Sequence, residues 1–278
     1  MIGLVNGNAL RIPLRSGSVA LVVTSPPYWD ARPEYSTWPT YAAYLADMAL
    51  VWAECYRVLI DGGRIAVNVP QGFGRPSTGG YLCIGDDTTR ALTSSGFTLR
   101  GHIIWNKKVF GGDGLARLGG TAWGSWLSAS DPCLRDMHEL IIVAHKGSPG
   151  RGPGRSTIDR ETFVYATGSM WDIPPAVGSS RWHPAPFPAE IPRRLIELYS
   201  FAGDVVLDPF SGAGTTIKAA LATGRQGIGL ELDAGYARRS MRDLSALNGD
   251  YDLARSLSKV HHRPVGVRDL PMFAELLP

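Results

Sequence analysis

Two short runs hold residue types from which a reaction centre can be built. In Thr24-Ser25-Pro26-Pro27-Tyr28 the prolines fix φ and lack a backbone N–H, so the Pro26 carbonyl can stand as an exposed acceptor. Ser25 adds a hydroxyl beside it that accepts as well as donates. Two acceptors aimed at an NH2 group orient its hydrogens and leave the nitrogen lone pair facing an electrophile. Alignment then carries most of the reaction, because such a nitrogen is only weakly basic. Tyr28 offers a ring face on which a flipped base can stack. The plain alternative is a Pro-Pro turn closing a core strand.

The second run, Leu207-Asp208-Pro209-Phe210-Ser211-Gly212-Ala213-Gly214-Thr215-Thr216, reads as an apolar strand ending in an acid and a Gly-rich turn that opens a helix. Gly212 and Gly214 let the backbone approach a nucleotide-like ligand at the carboxyl end of a parallel strand. Glu231, in Gly229-Leu230-Glu231-Leu232-Asp233 at the end of the next strand, can accept both hydrogen bonds of a ribose. A Gly-rich turn alone also fits a dinucleotide site or a bare helix cap. The third glycine of the dinucleotide fingerprint is missing here, and Asp208 brings a carboxylate that suits the cationic amino-acid part of S-adenosylmethionine better than a pyrophosphate.

Alternating strand and helix patterns place these runs. Val19–Thr24 reads as a buried strand, Tyr41–Leu59 as an amphipathic helix ended by Gly62 and Gly63, and Arg64–Val69 as a second strand, together a βαβ unit. A short helix at Thr88–Ser95 and strands at His102–Asn106 and Leu140–Ala144 follow. The helix Ala189–Tyr199 leads to a second βαβ unit, made of the strand Val205–Asp208, the helix Thr215–Ala222 and the strand Gln226–Leu232. Between Lys107 and Trp182, Gly, Pro, Ser and Trp accumulate without sustained periodicity, which predicts insertion loops around the Leu140 strand. Lys146, Arg151 and Arg155 sit on a turn-rich backbone there, with Arg160 close behind; such cations are as often merely solvated as bound to phosphate.

The order of the two runs resembles that of the beta-group amino-methyltransferases of prokaryotic restriction-modification systems. In that family a Ser/Asp-Pro-Pro-Tyr loop precedes an Asp-Pro-Phe-x-Gly-x-Gly-Thr loop. The matching residues are Ser25 to Tyr28 and Asp208 to Thr215, and the resemblance runs from about Gly7 to about Arg239. It implies an α/β, Rossmann-like methyltransferase fold: a mostly parallel seven-stranded sheet with one antiparallel strand, circularly permuted. The implied cofactor is S-adenosyl-L-methionine, held by Asn8, Ala9, Thr24, Ser25, Phe187, Asp208, Pro209, Phe210, Gly212, Gly214, Thr215, Glu231 and Leu232. Asn8 stands where the family has Asp, and Phe187, in the family-like His183-Pro184-Ala185-Pro186-Phe187-Pro188, helps close the pocket. His183 is given no catalytic role. Catalysis falls to Ser25, Pro26, Pro27 and Tyr28.

The resemblance also implies double-stranded DNA as partner, with Lys107, Arg151, Arg155 and Arg160 as DNA-binding residues, and a cognate restriction endonuclease acting on the same site. Monomer and homodimer both fit. The chain then divides into a catalytic half (1–108), a target-recognition insertion (109–182, including one core strand near 140–144), a cofactor-binding half (183–250) and a C-terminal appendage (251–278). In the family, Ser before Pro-Pro-Tyr goes mostly with the 4-amino group of cytosine and Asp with the 6-amino group of adenine. Cytosine is therefore the expected base, and adenine stays open.

Composition is compatible with this and decides little. The 278 residues are 44% apolar with a formal net charge of +3, which suits a large core and permits nucleic-acid binding without requiring it. No run approaches the ~18 apolar residues of a membrane span. Met1 to Gly7 carries no basic segment before a long apolar core, so a cytoplasmic location is expected. Cys55, Cys83 and Cys133 are too widely spaced for a disulfide framework or a zinc knuckle, and no metal is expected. Pro132-Cys133 superficially offers the nucleophile of carbon-5 methylation, but the Glu-Asn-Val element of that chemistry is absent; Val67-Asn68-Val69 occurs instead. A dinucleotide-dependent oxidoreductase leaves Thr24 to Tyr28 unexplained, and a non-catalytic DNA-binding module leaves the unbroken motif unexplained.

Overall fold

The computed structural model describes residues 2–29, 38–75, 80–107, 125–132, 137–176 and 188–247. Cys133, His183, Phe187 and the expected C-terminal appendage lie outside them. In chain order the elements are β1 (Ile2–Asn6), β2 (Val19–Thr24), α1 (Tyr41–Val58), β3 (Leu59–Pro70), β4 (Phe73–Arg75), β5 (Gly80–Leu82), α2 (Ile84–Ser94), β6 (Thr98–Asn106) and β7 (His138–His145). There follow α3 (Arg160–Ala166), β8 (Met170–Asp172), α4 (Glu190–Tyr199), β9 (Val205–Asp208), α5 (Thr215–Ala222), β10 (Gln226–Glu231) and α6 (Ala234–Leu247). No helix among the described residues is long and apolar enough to cross a membrane.

Among the described residues eight strands form one sheet in the order β1-β10-β9-β2-β3-β7-β6-β8, while β4 and β5 pair separately. β7 alone runs antiparallel to its neighbours β3 and β6; all other pairings within that sheet are parallel. The mostly parallel α/β sheet is as expected, with one strand more among the described residues than the expected seven. Both βαβ units stand, β2-α1-β3 and β9-α5-β10.

Alternate residues of the central strands feed two cores, as a sheet covered on both faces requires. Val22, Ile65, Val67 and Ile142 pack with Tyr44, Met48, Val51, Trp52 and Cys55 of α1 on one face. Leu21, Val23, Ala66, Ile141 and Val143 pack with Ile191, Leu195 and Ile196 of α4 and Ala219 and Ala220 of α5 on the other. Each fully buried large side chain contributes about 1.5–3 kcal/mol, so α1 is held chiefly by its apolar stripe.

The chain departs from the sequence reading at two places. α1 stops at Val58, and Gly62 and Gly63 lie within β3 instead of ending the helix. The Lys146 ammonium does that work: it donates to the Tyr56 and Leu59 carbonyls at 2.7 Å each, satisfying the acceptors a helix C-terminus leaves open. Second, residues 137–176 are not loop alone. Beside β7 they supply α3 and the edge strand β8, with Trp171 and Ile173 fully buried in the second core. At seven and three residues these elements are too short to display a period.

The cationic loop lies at the far end of the sheet. The Gly62 N–H donates to the Lys146 carbonyl at 2.8 Å and the Ala202 N–H to the Arg155 carbonyl at 2.9 Å. The Arg151 guanidinium grips both oxygens of Asp204 at 2.5 and 2.9 Å and lies 5.0 Å over the Phe201 ring. Asp204 immediately precedes β9, so this clamp sits at the N-terminal ends of the parallel strands, opposite Ser25 and Asp208. Arg155 is exposed there, and Arg160 is the first residue of α3. Of Arg151, Arg155 and Arg160, all expected to meet phosphates, Arg151 is engaged by Asp204 and holds two segments of the fold together. Arg151→Ala is expected to cost about 2 kcal/mol in denaturant unfolding, since it strands a half-buried carboxylate.

Candidate active site

β2 and β9 are hydrogen-bonded neighbours, paired at Val22 and Leu207, and each ends in a residue that reaches for the other. Thr24 Oγ1 donates to Asp208 Oδ1 at 2.7 Å, and Thr216 Oγ1 from the start of α5 donates to Oδ2 at 2.7 Å. The Phe210 N–H adds a third bond to Oδ1 at 3.1 Å. Asp208 is buried, and desolvation pushes its carboxyl up to about 6 against the pull of these donors. Its oxygens are therefore committed to the protein: Asp208 ties the two loops together from beneath.

The turn above it is shaped by backbone. Gly214 caps α5 at φ +73°, the left-handed region that glycine enters freely. The Ser211 N–H donates to the Leu230 carbonyl at 2.8 Å, and the Ser240 hydroxyl donates to the Gly212 carbonyl at 2.6 Å. A Cβ at Gly229 would lie 2.5 Å from Ser211 Oγ, so the turn can seat on β10 only because that residue is glycine. Glu231 closes β10 with its carboxylate held between the Gly212 N–H at 2.9 Å and the Asp233 N–H at 2.8 Å. Each oxygen holds one such bond and has room for another. Burial raises its affinity for a proton.

Asn6 escaped the sequence reading: it donates to the Glu231 and Leu232 carbonyls at 2.9 Å each, fixing the Gly7–Ala9 segment over the end of β10. Asn8 is exposed with its Oδ1 bound to the Leu10 N–H at 2.9 Å, Ala9 is buried beside it, and Leu232 is exposed. The Ser211 hydroxyl is buried beneath the turn with no hydrogen-bond partner among the described residues. These groups fit an adenosyl ligand: a Gly-rich turn beside an acid able to take ribose hydroxyls.

The Ser25–Tyr28 loop enters a buried polar chain from the other side. Ser25 Oγ lies 3.0 Å from Tyr28 Oη, which lies 3.1 Å from Glu139 Oε2. Asn68 Nδ2 donates to the same Glu139 oxygen at 2.5 Å and to Tyr28 Oη at 3.1 Å. Lys107 Nζ is ion-paired with Glu139 Oε1 and lies 5.0 Å over the Trp105 ring. Lys107, expected to meet DNA, is turned onto Glu139 in this structure. Burial and the Glu139 charge both push the Tyr28 hydroxyl up, so it stays a phenol. Pro26 is buried, and Tyr28 is half-buried. Trp29 and Tyr41 continue the aromatic wall, 5.4 Å apart. Asn68 and Glu139 went unassigned in the sequence; the available signal was a polar side chain inside each of two strands buried on both faces.

An S-adenosylmethionine-type methyltransferase sheet, with a Gly-rich turn and a polar loop meeting at adjacent strand ends, is the class these features define. The chain belongs to the N6/N4 DNA methylase family, whose pattern matches residues 19–242. It is 30% identical over 265 residues to the type II methyltransferase M.MjaI of Methanocaldococcus jannaschii, covering 78% of this chain and 82% of that one. The DNA adenine methyltransferase YhdJ of Escherichia coli K12 is 27% identical, with 95% of this chain and 88% of YhdJ covered. Among solved structures, TTHA0409 from Thermus thermophilus, complexed with S-adenosyl-L-methionine, matches with a TM-score of 0.70 at 30% identity, covering 88% of this chain and 94% of that one.

Gly229→Ala should push Ser211 off β10 and weaken S-adenosylmethionine binding by about tenfold or more in calorimetry, a loss of about 1.4 kcal/mol. Asp208 yields a second test. Unfolded, its carboxyl ionises near the ordinary 3.8; folded, near about 6. Between those values the folded state keeps a proton the unfolded state has lost, so this group's contribution to stability falls as pH rises through the window. Unfolding of the wild type and Asp208→Asn, compared from pH 4 to 7, should show the wild type losing about 2 kcal/mol relative to the variant. A constant difference would mean the carboxyl is not perturbed.

Proposed function

We propose that this DNA methyltransferase transfers a methyl group to the exocyclic 4-amino group of cytosine in double-stranded DNA, acting on a flipped base. S-adenosyl-L-methionine is its cofactor, and when bound it supplies a methyl group already activated on a sulfonium. The observation that carries the reading is the Thr24–Asp208 bond, which seats the Ser25 loop beside the Gly-rich turn. A ligand on that turn then presents its reactive end to Ser25 and Tyr28.

The geometry supports the following roles. The Ser211–Thr215 turn and Glu231 hold the adenosyl part, with Asn8 and Ala9 beside the end of β10. The Ser25 hydroxyl and the Pro26 carbonyl accept from the target NH2 and leave its lone pair for the methyl carbon; the Tyr28 ring stacks on the base. Cytosine rests on Ser25 as the residue before Pro-Pro-Tyr. The similarity to YhdJ means that family membership by itself does not choose the base.

Amplified, unmethylated duplex DNA of mixed sequence, treated with the protein and labelled cofactor and then digested to nucleosides, should yield 4-methylcytosine. Recovery of 6-methyladenine alone would sink the cytosine reading; no labelled nucleoside would sink methyl transfer to DNA. Ser25→Ala should lower the rate by about 100-fold while cofactor affinity stays within about twofold.

A further inference from the structure

A hydroxyl such as Ser25 serves an NH2 group only if its own proton points elsewhere. Facing the substrate, that proton would compete for the nitrogen lone pair that must attack. The polar chain behind Ser25 determines which way it points, and counting protons settles the direction. Glu139, ion-paired with Lys107 and 7% exposed, only accepts. Asn68 Nδ2 has two hydrogens, and the two nearer acceptors, Glu139 Oε2 at 2.5 Å and Tyr28 Oη at 3.1 Å, take them ahead of Ser25 Oγ at 3.5 Å. Tyr28 has one, and the acceptor-only oxygen at 3.1 Å takes it. Tyr28 Oη is then left as an acceptor toward Ser25 at 3.0 Å, so Ser25 must donate inward and keep its lone pairs facing outward.

We infer that Glu139 is a positioning residue for methyl transfer: its charge fixes the direction of the Ser25–Tyr28–Glu139 hydrogen-bond chain and so makes Ser25 an acceptor toward the target amino group. The inference rests on the reading under Proposed function. An amide at position 139 has a donor that Tyr28 can accept; Tyr28 then donates to Ser25, whose proton swings toward the substrate. The stacking ring, the Gly-rich turn and the cofactor contacts are untouched by that reversal.

The test measures single-turnover methyl transfer to amplified, unmethylated duplex DNA, with cofactor affinity by calorimetry and thermal unfolding alongside. Glu139→Gln should lower the rate by about 100-fold with cofactor affinity within about twofold, and Glu139→Asp should recover part of the rate. Tyr28→Phe, which keeps the ring, should lose a similar factor. In the Tyr28→Phe background Glu139→Gln should cost little more, because a residue acting through Tyr28 has nothing left to act on. An active wild type with equally active Glu139→Gln or Tyr28→Phe, or losses that simply multiply in the double variant, would overturn the inference alone. A wild type that transfers no methyl group to DNA would overturn the functional reading and this inference with it.

Discussion

The reaction centre depends on a buried carboxylate shared between two loops that are 184 residues apart in the chain. Asp208 has left water, which is costly for a charge, and the donors Thr24, Thr216 and the Phe210 N–H offset that cost only in one arrangement of β2, β9 and α5. Slipping β9 against β2 would remove a partner and cost about 1–3 kcal/mol for each bond lost. The spacing between the Ser25 loop and the Gly-rich turn is therefore set by a polar interaction inside the sheet, while the apolar cores on either face only bring the strands together.

The antiparallel strand supplies what a wholly parallel sheet cannot. Parallel strands deliver only their carboxyl ends to the crevice, which brings Ser25, Lys107, Asp208 and Glu231 there. β7 runs the other way and delivers its beginning. Glu139 pairs with Pro70 at the end of β3 and with Trp105 near the end of β6, so its carboxylate arrives between Asn68 and Lys107. Ile141, Ile142, Val143 and Ala144 behind it are buried on both faces, which fixes the register that places Glu139.

Motifs and periodicity made the two loops of the candidate site and most of the sheet legible in the sequence, because each rests on contiguous residues: β2, β9 and α5 have the bounds their apolar runs predict. What stayed illegible rests on pairs distant in the chain. Glu139 meets Asn68 from 71 residues away, and Arg151 meets Asp204 from 53. A cation in a Gly- and Pro-rich loop has the same local appearance whether it faces phosphate or a buried acid. Lys146 likewise caps α1 from across the sheet, a task that local reading gave to Gly62 and Gly63. Asn68 and Glu139 did carry a signal, since a polar residue in a doubly buried strand needs a partner, but only the sheet order says which partner it finds.

Charge explains why the crevice suits a sulfonium donor better than a dinucleotide. Asp208 and Glu231 are close enough for the Glu231 charge to make Asp208 harder to ionise, and burial pushes both acids the same way. A pyrophosphate on this turn would add negative charge to that repulsion, whereas a ligand with a cationic sulfonium and an ammonium relieves it. In a chain of net charge +3 the acids at these strand ends therefore form a local exception. They favour the positively charged donor and disfavour DNA phosphates in the same space. On the proposed reading a base that leaves the duplex reaches Ser25, and the neutral Tyr28 ring receives it without adding another charge.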